Sequence, residues 1–331
     1  MLEKIDFVLT WVDGSDPAWL AKKNEYAGTQ SASRVHEYRE LQNLHYWFRG
    51  VEQFAPWVNK IHFVTWGHLP PWLNTKHPKL NIVNHKDYIP ENYLPTFSAN
   101  PIELNFHRIE GLQEQFVYFN DDTFIIRPMQ KEDFFVNGLP CDQGGLDYIS
   151  SQGRDIFPHL LINAIGITNK HFHKKLQMKK HRKKWYNKKY GLQNNLKTLL
   201  LSWTRNFSGI NVAHLPNAFL KSTLERVWEL EFRELDETSA RKFRNFHDVN
   251  QYVFKFWQIA SGGFNPVNVQ KKGRSFMLFN HSQQLFNAIK NQTYAMICAN
   301  DAESGDNFEQ LRDELNSCFE RILPEKSSFE I

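Results

Sequence analysis

Cysteine is scarce in this 331-residue chain. The three present, Cys141, Cys298 and Cys318, are odd in number and far apart. No CxxC pair occurs, so neither a disulfide framework nor a structural zinc site is indicated, and a reducing compartment fits. No stretch approaches the roughly 18 consecutive apolar residues that a membrane span needs. No apolar signal segment follows Met1, and the chain enters a strand-like run at once. These absences predict a cytoplasmic protein, soluble or peripheral. Several familiar signatures are also missing: no GxxxxGK[ST] loop, no GxGxxG after a strand, no HExxH and no GxSxG. Their absence argues against P-loop, dinucleotide-binding, zinc-protease and α/β-hydrolase chemistry. Net charge is only +4. That permits an anionic substrate without demanding nucleic acid.

Aromatic residues, in contrast, are plentiful, at 15% of the chain with 27 Phe, 10 Trp and 11 Tyr. Ring faces pack on the apolar faces of sugars, although a large aromatic core explains the same count. Strand-like runs occur at Ile5–Thr10, Ile61–Thr65, Leu80–Asn84 and Phe116–Phe119, and again at Tyr294–Ala299. Helical periodicity marks Glu37–Phe54, Asp248–Ala260 and Asn307–Leu323. Strands alternating with helices predict an α/β fold with a mostly parallel sheet. In such sheets the ligand sits beyond the strand C-termini. Three parts are expected: an α/β core over 1–150, a basic helical insertion over 151–210, and a largely helical part over 211–331 whose late strand completes the core.

Acidic residues punctuate three strand ends. Asp13 and Asp16 follow the first strand, Asn120-Asp121-Asp122 the fourth, and Asn300-Asp301 the late one. Carboxylates there can hold a divalent ion, and the ion a diphosphate. Turn-forming aspartate is the plainer reading of each. Asp121 and Asp122 can share a site only if the strand breaks between them, because adjacent side chains on a continuing strand point to opposite faces. Arg39, Arg108, His214 and Arg244 are basic candidates to face phosphate oxygens. Each alone reads more readily as a surface or capping residue than as a catalyst. The segment Lys170–Lys189 is dense in Lys, Arg and His. It reads either as a solvated helical insertion or as a contact for an anionic membrane surface or a polyprenyl diphosphate.

Longer motifs carry a resemblance. IDFVLTWVDGSDPAW (Ile5–Trp19) resembles the first conserved block of the Stealth family. Glu37–Asn74 and Leu94–Phe124, ending in FVYFNDDTF, are similar to the second. His214–Glu229 is similar to the third. Phe243–Phe264 with Tyr294–Ser304 is similar to the fourth. Two departures stand out: Arg39-Glu40-Leu41 where many bacterial relatives have Arg-Asp-Trp, and Trp66-Gly67-His68 where Asn or Asp often precedes the glycine.

The resemblance implies a Rossmann-like, glycosyltransferase A-type core closed by the helical C-terminal part, and a bacterial phosphotransferase. Its substrate would be a nucleotide diphosphate sugar, UDP-linked. Sugar-1-phosphate would pass to a hydroxyl of a polysaccharide or polyprenyl-linked glycan, with Mg²⁺ or Mn²⁺ assisting and nucleoside monophosphate leaving. The alternative is a metal-dependent glycosyltransferase that releases the diphosphate. On this reading Asp121 and Asp122 bind the metal. His214, Arg244, Asp122 and Asp13 act in catalysis, with His214 or an aspartate as base. Arg39, Arg108, Asn120, Asn300 and Asp301 bind substrate. The implied location is the cytoplasm, with a peripheral foothold on the inner face of the membrane.

Overall fold

The computed structural model describes residues 4–28, 40–151, 155–301 and 307–331. Strand β1 (Ile5–Thr10) lies at the centre of the main sheet, buried through its first five residues. It pairs in parallel with β2 (Ile61–Thr65) on one side, and β2 pairs in parallel with β3 (Leu80–Asn84). On the other side β1 pairs in parallel with β4 (Gln115–Phe119). Strands covered on both faces need apolar side chains at nearly every position. That is why IDFVLT and IHFVT read as runs and not as alternations.

The connections place helices on the faces: α1 (Pro17–Ala27), α2 (Leu44–Phe54), α3 (His85–Tyr88) and α4 (Ala99–Leu104). After β4 come β5 (Thr123–Ile125) and the short strands β6 (Phe135–Val136) and β7 (Leu139–Asp142). A helical stretch follows, comprising α5 (Phe157–His171), α6 (Lys174–Lys180), α7 (Arg182–Trp185) and α8 (Gly191–Leu201). Then β8 (Asn217–Leu220) returns antiparallel beside β4, giving the order β3-β2-β1-β4-β8. The Rossmann-like, mostly parallel sheet expected from the sequence is therefore present.

The remainder runs α9 (Lys221–Leu230), α10 (Phe232–Ala240), α11 (Tyr252–Ser261), β9 (Asn265–Pro266), α12 (Val269–Lys272), β10 (Gly273–Met277), α13 (Leu278–Lys290), β11 (Met296–Asn300) and α14 (Phe308–Ile322). β10, β11 and β5 form a second sheet, in which β5 runs antiparallel to β11.

Side chains alternate across the sheet, and each face owns a core. Phe7, Leu9, Phe63, Val117 and Phe119 join α2, α13 and α14. Val8, Val64, Phe116 and Tyr118 join α4, α5, α9 and α11. Much of the aromatic content is spent in the first core: Phe7 meets Trp57, Phe119 and Phe134 with ring centroids 5.6, 4.7 and 5.8 Å apart. The opposite, N-terminal edge of the sheet is tied by a buried carboxylate. Asp6 accepts hydrogen bonds from Asn59 and from the Lys60 and Gln113 amides, and it faces His62 Nε2 at 2.9 Å. A buried charge survives only with such partners.

Helix boundaries shift from expectation in two places. The described part of the run over 37–54 is helical only from Leu44, because Glu40 turns away to accept a hydrogen bond from Trp11 Nε1 at 3.1 Å. The helix expected from Asp248 begins at Tyr252. Asp248 is instead a buried anchor, taking hydrogen bonds from Asn100, Arg241 and the Asn245 amide. No helix among the described residues is long and apolar enough to cross a membrane.

The C-terminal tail is latched to α2 by Arg49. Its guanidinium donates twice to Glu330, at 2.9 Å each, and once to the Leu323 carbonyl at 2.9 Å. Burial alone would raise the Glu330 carboxyl, but hydrogen bonds from Arg49 and Ser327 hold it below its ordinary 4.5. A lowered carboxylate stabilises the fold above its unfolded pKa and ceases to do so as pH falls through the folded one. Arg49→Met should therefore cost about 3–5 kcal/mol at neutral pH, since it strands a buried charge, and less below pH 4. Denaturant titration at the two pH values measures both, and equal losses would remove the latch from the account.

Candidate active site

Strand β4 ends at Phe119, and the chain breaks into a turn at Asn120-Asp121-Asp122 before β5 begins. Thr123 closes the turn, its amide and hydroxyl both donating to the Asn120 carbonyl, at 3.1 and 2.7 Å. The Ala299 amide on β11 holds the Asp122 carbonyl at 2.8 Å. The break removes the strand alternation that would have sent the two carboxylates to opposite faces. Both line one cleft of about 410 Å³ at the C-terminal edge of the main sheet. Thr10 and Trp11 from the end of β1, Glu103 from α4, His214 from before β8, Arg244, and Asn300 with Asp301 from the end of β11 share it.

Asp121 and Asp122 have no Lys or Arg partner among the described residues. Asp121 is open to solvent in the cleft, yet protein walls it closely enough for desolvation to dominate. That desolvation, with the neighbouring Asp122 charge, pushes the Asp121 carboxyl up to about 7. Asp122 Oδ1 is buried without a hydrogen-bond partner, and Oδ2 accepts from the Cys298 thiol at 3.2 Å. Burial and Asp122 raise that thiol well above its usual range, so it stays protonated. Asp122, His214 and Cys298 place ligand-capable atoms within 4.8 Å of one another. A protonated thiol suits a hard cation poorly, whereas an orphaned carboxylate oxygen beside a second carboxylate suits Mg²⁺ or Mn²⁺ well.

A chain of hydrogen bonds connects the core to His214. Tyr118 OH donates to Asn120 Oδ1 and lies 3.1 Å from Glu103 Oε1. One phenolic proton cannot serve two acceptors. Burial resolves the conflict by pushing Glu103 up to about 7, against the pull of the Gln251 amide, Tyr118 and Arg244, so that Glu103 can itself carry a proton. With Oδ1 of Asn120 taken by Tyr118, its Nδ2 faces His214 Nε2 at 3.1 Å. Asn300 Nδ2 lies 3.4 Å from Nδ1, and Asp122 Oδ2 lies 3.7 Å from Nε2.

His214, Arg244, Asp121, Asp122, Asn120, Asn300 and Asp301 are thus brought together. Two other expected residues are used elsewhere. Asp13 sits just past Val12, with its Oδ1 accepting from the amide and hydroxyl of Ser15 at 2.8 and 2.6 Å. Asp16 likewise caps α1 through the Trp19 amide. Arg108 is absent from the cleft lining. It donates to Asn105 and lies 5.0 Å over the Trp228 ring. Arg39 falls outside the described residues. Three cleft residues carried no sequence signal as site groups: Glu103, Tyr118 and His85, the last pushed down to about 4 by burial.

Comparisons with known proteins identify the family. Residues 3–31 match Stealth protein conserved region 1, and residues 37–141 match conserved region 2. The capsular polysaccharide phosphotransferase WcwK of Streptococcus pneumoniae is 40% identical over 99% of this chain and 98% of its own. The receptor polysaccharide phosphotransferase WefC of Streptococcus gordonii is 42% identical over the whole of both chains. The exopolysaccharide phosphotransferase cps2G of Lactiplantibacillus plantarum is 37% identical over 98% of this chain and 96% of its own. Among solved structures, the galactosyltransferase LgtC is matched at a TM-score of 0.40 and 11% identity, over 94% of this chain and 95% of that one, too loosely to inform function. Full-length identity near 40% to several phosphotransferases decides the matter: this chain is a phosphotransferase belonging to the Stealth family.

Proposed function

We propose that the cleft transfers a sugar-1-phosphate from a UDP-linked sugar to a hydroxyl of a surface polysaccharide or lipid-linked glycan, and releases UMP. The observation that carries this reading is the meeting, in one cleft with His214 and Arg244, of two carboxylates that have no Lys or Arg partner among the described residues. Phosphoryl transfer is chiefly a matter of positioning and charge neutralisation. Asp121 and Asp122 would hold a divalent ion, which when bound offsets the charge of the diphosphate. Arg244, exposed at the cleft wall, is suited to phosphate oxygens through its planar fork. Asn300 and Asp301 are suited to the sugar or the nucleotide.

His214 is the base in this reading. With Tyr118 fixing the Asn120 amide, its Nδ2 donates to Nε2, which makes Nε2 an accepting nitrogen. An acceptor hydroxyl that displaces the Asn120 amide gives its proton to Nε2. Its oxygen bonds to the sugar-bearing phosphorus as the bond to the nucleotide phosphate breaks. Asp122, 3.7 Å away, steadies the imidazolium.

Three outcomes follow. Purified protein with a panel of UDP-sugars, Mg²⁺ and acceptor glycan should form a phosphodiester and release UMP; UDP as sole nucleotide product would sink the reading. Asp122→Asn should remove most turnover while leaving the melting temperature within a few degrees, and activity indifferent to both this change and a chelator would dismiss the metal role. His214→Ala should lower kcat on the order of a hundredfold or more, and Arg244→Ala should lower kcat far more than it raises KM, with lysine rescuing only in part. A loss confined to KM in either variant would move that residue from chemistry to binding.

A further inference from the structure

Helix α8 is built inside out. Asn194, Asn195 and Thr198 are at least partly covered. Asn195 donates to the Asn187 and Gly191 carbonyls, Asn194 donates to the Tyr190 carbonyl, and the buried Thr198 hydroxyl receives the Leu146 amide. Its leucines face solvent: Leu192 is 83% exposed, Leu196 52%, Leu199 51% and Leu200 67%, and Trp203 just beyond the helix is 84% exposed. These positions recur at helical spacing and form one stripe. An apolar patch of this extent on a soluble surface marks an interaction site.

Cations surround it. No Asp or Glu occurs anywhere between Asp155 and Glu225. The Lys170–Lys189 segment, which from sequence reads either as a solvated insertion or as an anionic contact, is divided by the structure. Lys170 pairs with Glu231, Lys174 is buried on the Leu201 carbonyl and Thr204, Lys184 holds the Gly262 and Phe264 carbonyls, and Lys189 holds the Pro266 carbonyl. Lys175, Lys179, Lys180, Arg182, Lys183 and Lys188 remain exposed, with no ion pair among the described residues. Lys175, Lys179 and Arg182 help line a groove of about 670 Å³ together with Met178, Leu192, Leu196 and Leu199.

We infer that α8, Trp203 and the rim of α6 and α7 form a docking face for an anionic lipid bilayer. The leucines and Trp203 enter the interface, and the six free cations meet the headgroups. Exposed leucines, an interfacial tryptophan and a rim of exposed cations, with Asp147 paired to Lys197, together match a bilayer with negative headgroups. They match a water-soluble anion poorly, since it would have no use for the leucines. The inference does not depend on the phosphotransfer chemistry, because none of these residues lines the catalytic cleft.

Flotation with vesicles tests it. Wild-type protein should bind vesicles of phosphatidylglycerol and phosphatidylcholine at least tenfold better than pure phosphatidylcholine vesicles, and 0.5 M salt should weaken that preference. The triple variant Leu196→Gln, Leu199→Gln, Leu200→Gln should lose binding tenfold or more with a melting temperature within a few degrees of wild type, as all three side chains are at least half exposed. The triple variant Lys175→Gln, Lys179→Gln, Lys183→Gln should abolish most of the salt-sensitive part. Turnover on a water-soluble acceptor should be unaffected in both, which separates failure of docking from failure of catalysis. Equal binding to neutral vesicles, binding indifferent to the leucine variant, or a wild-type dimer that this variant dissolves without any vesicle binding would each overturn the proposal.

Discussion

Two adjacent carboxylates with no Lys or Arg partner among the described residues, Asp121 and Asp122, set the terms for the rest of the cleft. Like charges this close repel, and the protein walls around them strengthen the repulsion by excluding water. The protein does not relieve it with Lys or Arg among the described residues. It offers only weak partners, a thiol from Cys298 and the edge of His214 at 3.7 Å. A site left this negative is a standing attraction for a divalent cation. The sharp turn after β4 is required for it, since a strand continuing past Phe119 would have parted the two side chains.

The second constraint is proton placement. Glu103, Tyr118, Asn120 and His214 form one line from a buried helix to the open cleft. Each link fixes the orientation of the next, so the imidazole faces the cleft with a defined accepting nitrogen. Networks of this kind are stiff only when every member is satisfied. A Glu103 raised by burial to about 7 lets the line hold an extra proton near neutrality. The arrangement orients His214 without pairing it to a full charge in direct contact.

Much of the architecture was legible because buried parallel strands leave unbroken apolar runs; IDFVLT, IHFVT and FVYF all occupy the main sheet. The turn residues NDD were legible for the opposite reason, as polar punctuation after such a run. What stayed hidden was direction. Asp13 and Asp121 follow their strands in the same way, yet Asp13 spends its carboxylate on Ser15, a local bond that sequence allows but does not dictate. Arg108 looked as available as Arg244, but a ring beneath it at Trp228, 120 positions later, claims it. The basic segment hid a division of labour: four of its lysines bracket carbonyls or an acid, and periodicity cannot separate these from the exposed ones. Tyr118 read only as a strand aromatic, since nothing local tells which hydroxyl meets a distant glutamate.

Topology explains how residues nearly a hundred positions apart reach one cleft. A parallel neighbour of β4 would present its own end at the cleft and carry the preceding residues to the far edge of the sheet. β8 is antiparallel, with Asn217 opposite Tyr118. Its beginning therefore lies at the end of β4, and His214, three residues earlier, projects past that end to meet Asn120. The same reversal operates in the second sheet. β5 runs antiparallel to β11, with Thr123 opposite Cys298, so Asn300 emerges beside the residues that precede Thr123. Two antiparallel pairings at either end of one three-residue turn thus deliver His214 and Asn300 to the same carboxylates from different parts of the chain. The mixed character of the sheets, which strand-like runs alone could not reveal, is what gives the cleft its contributors.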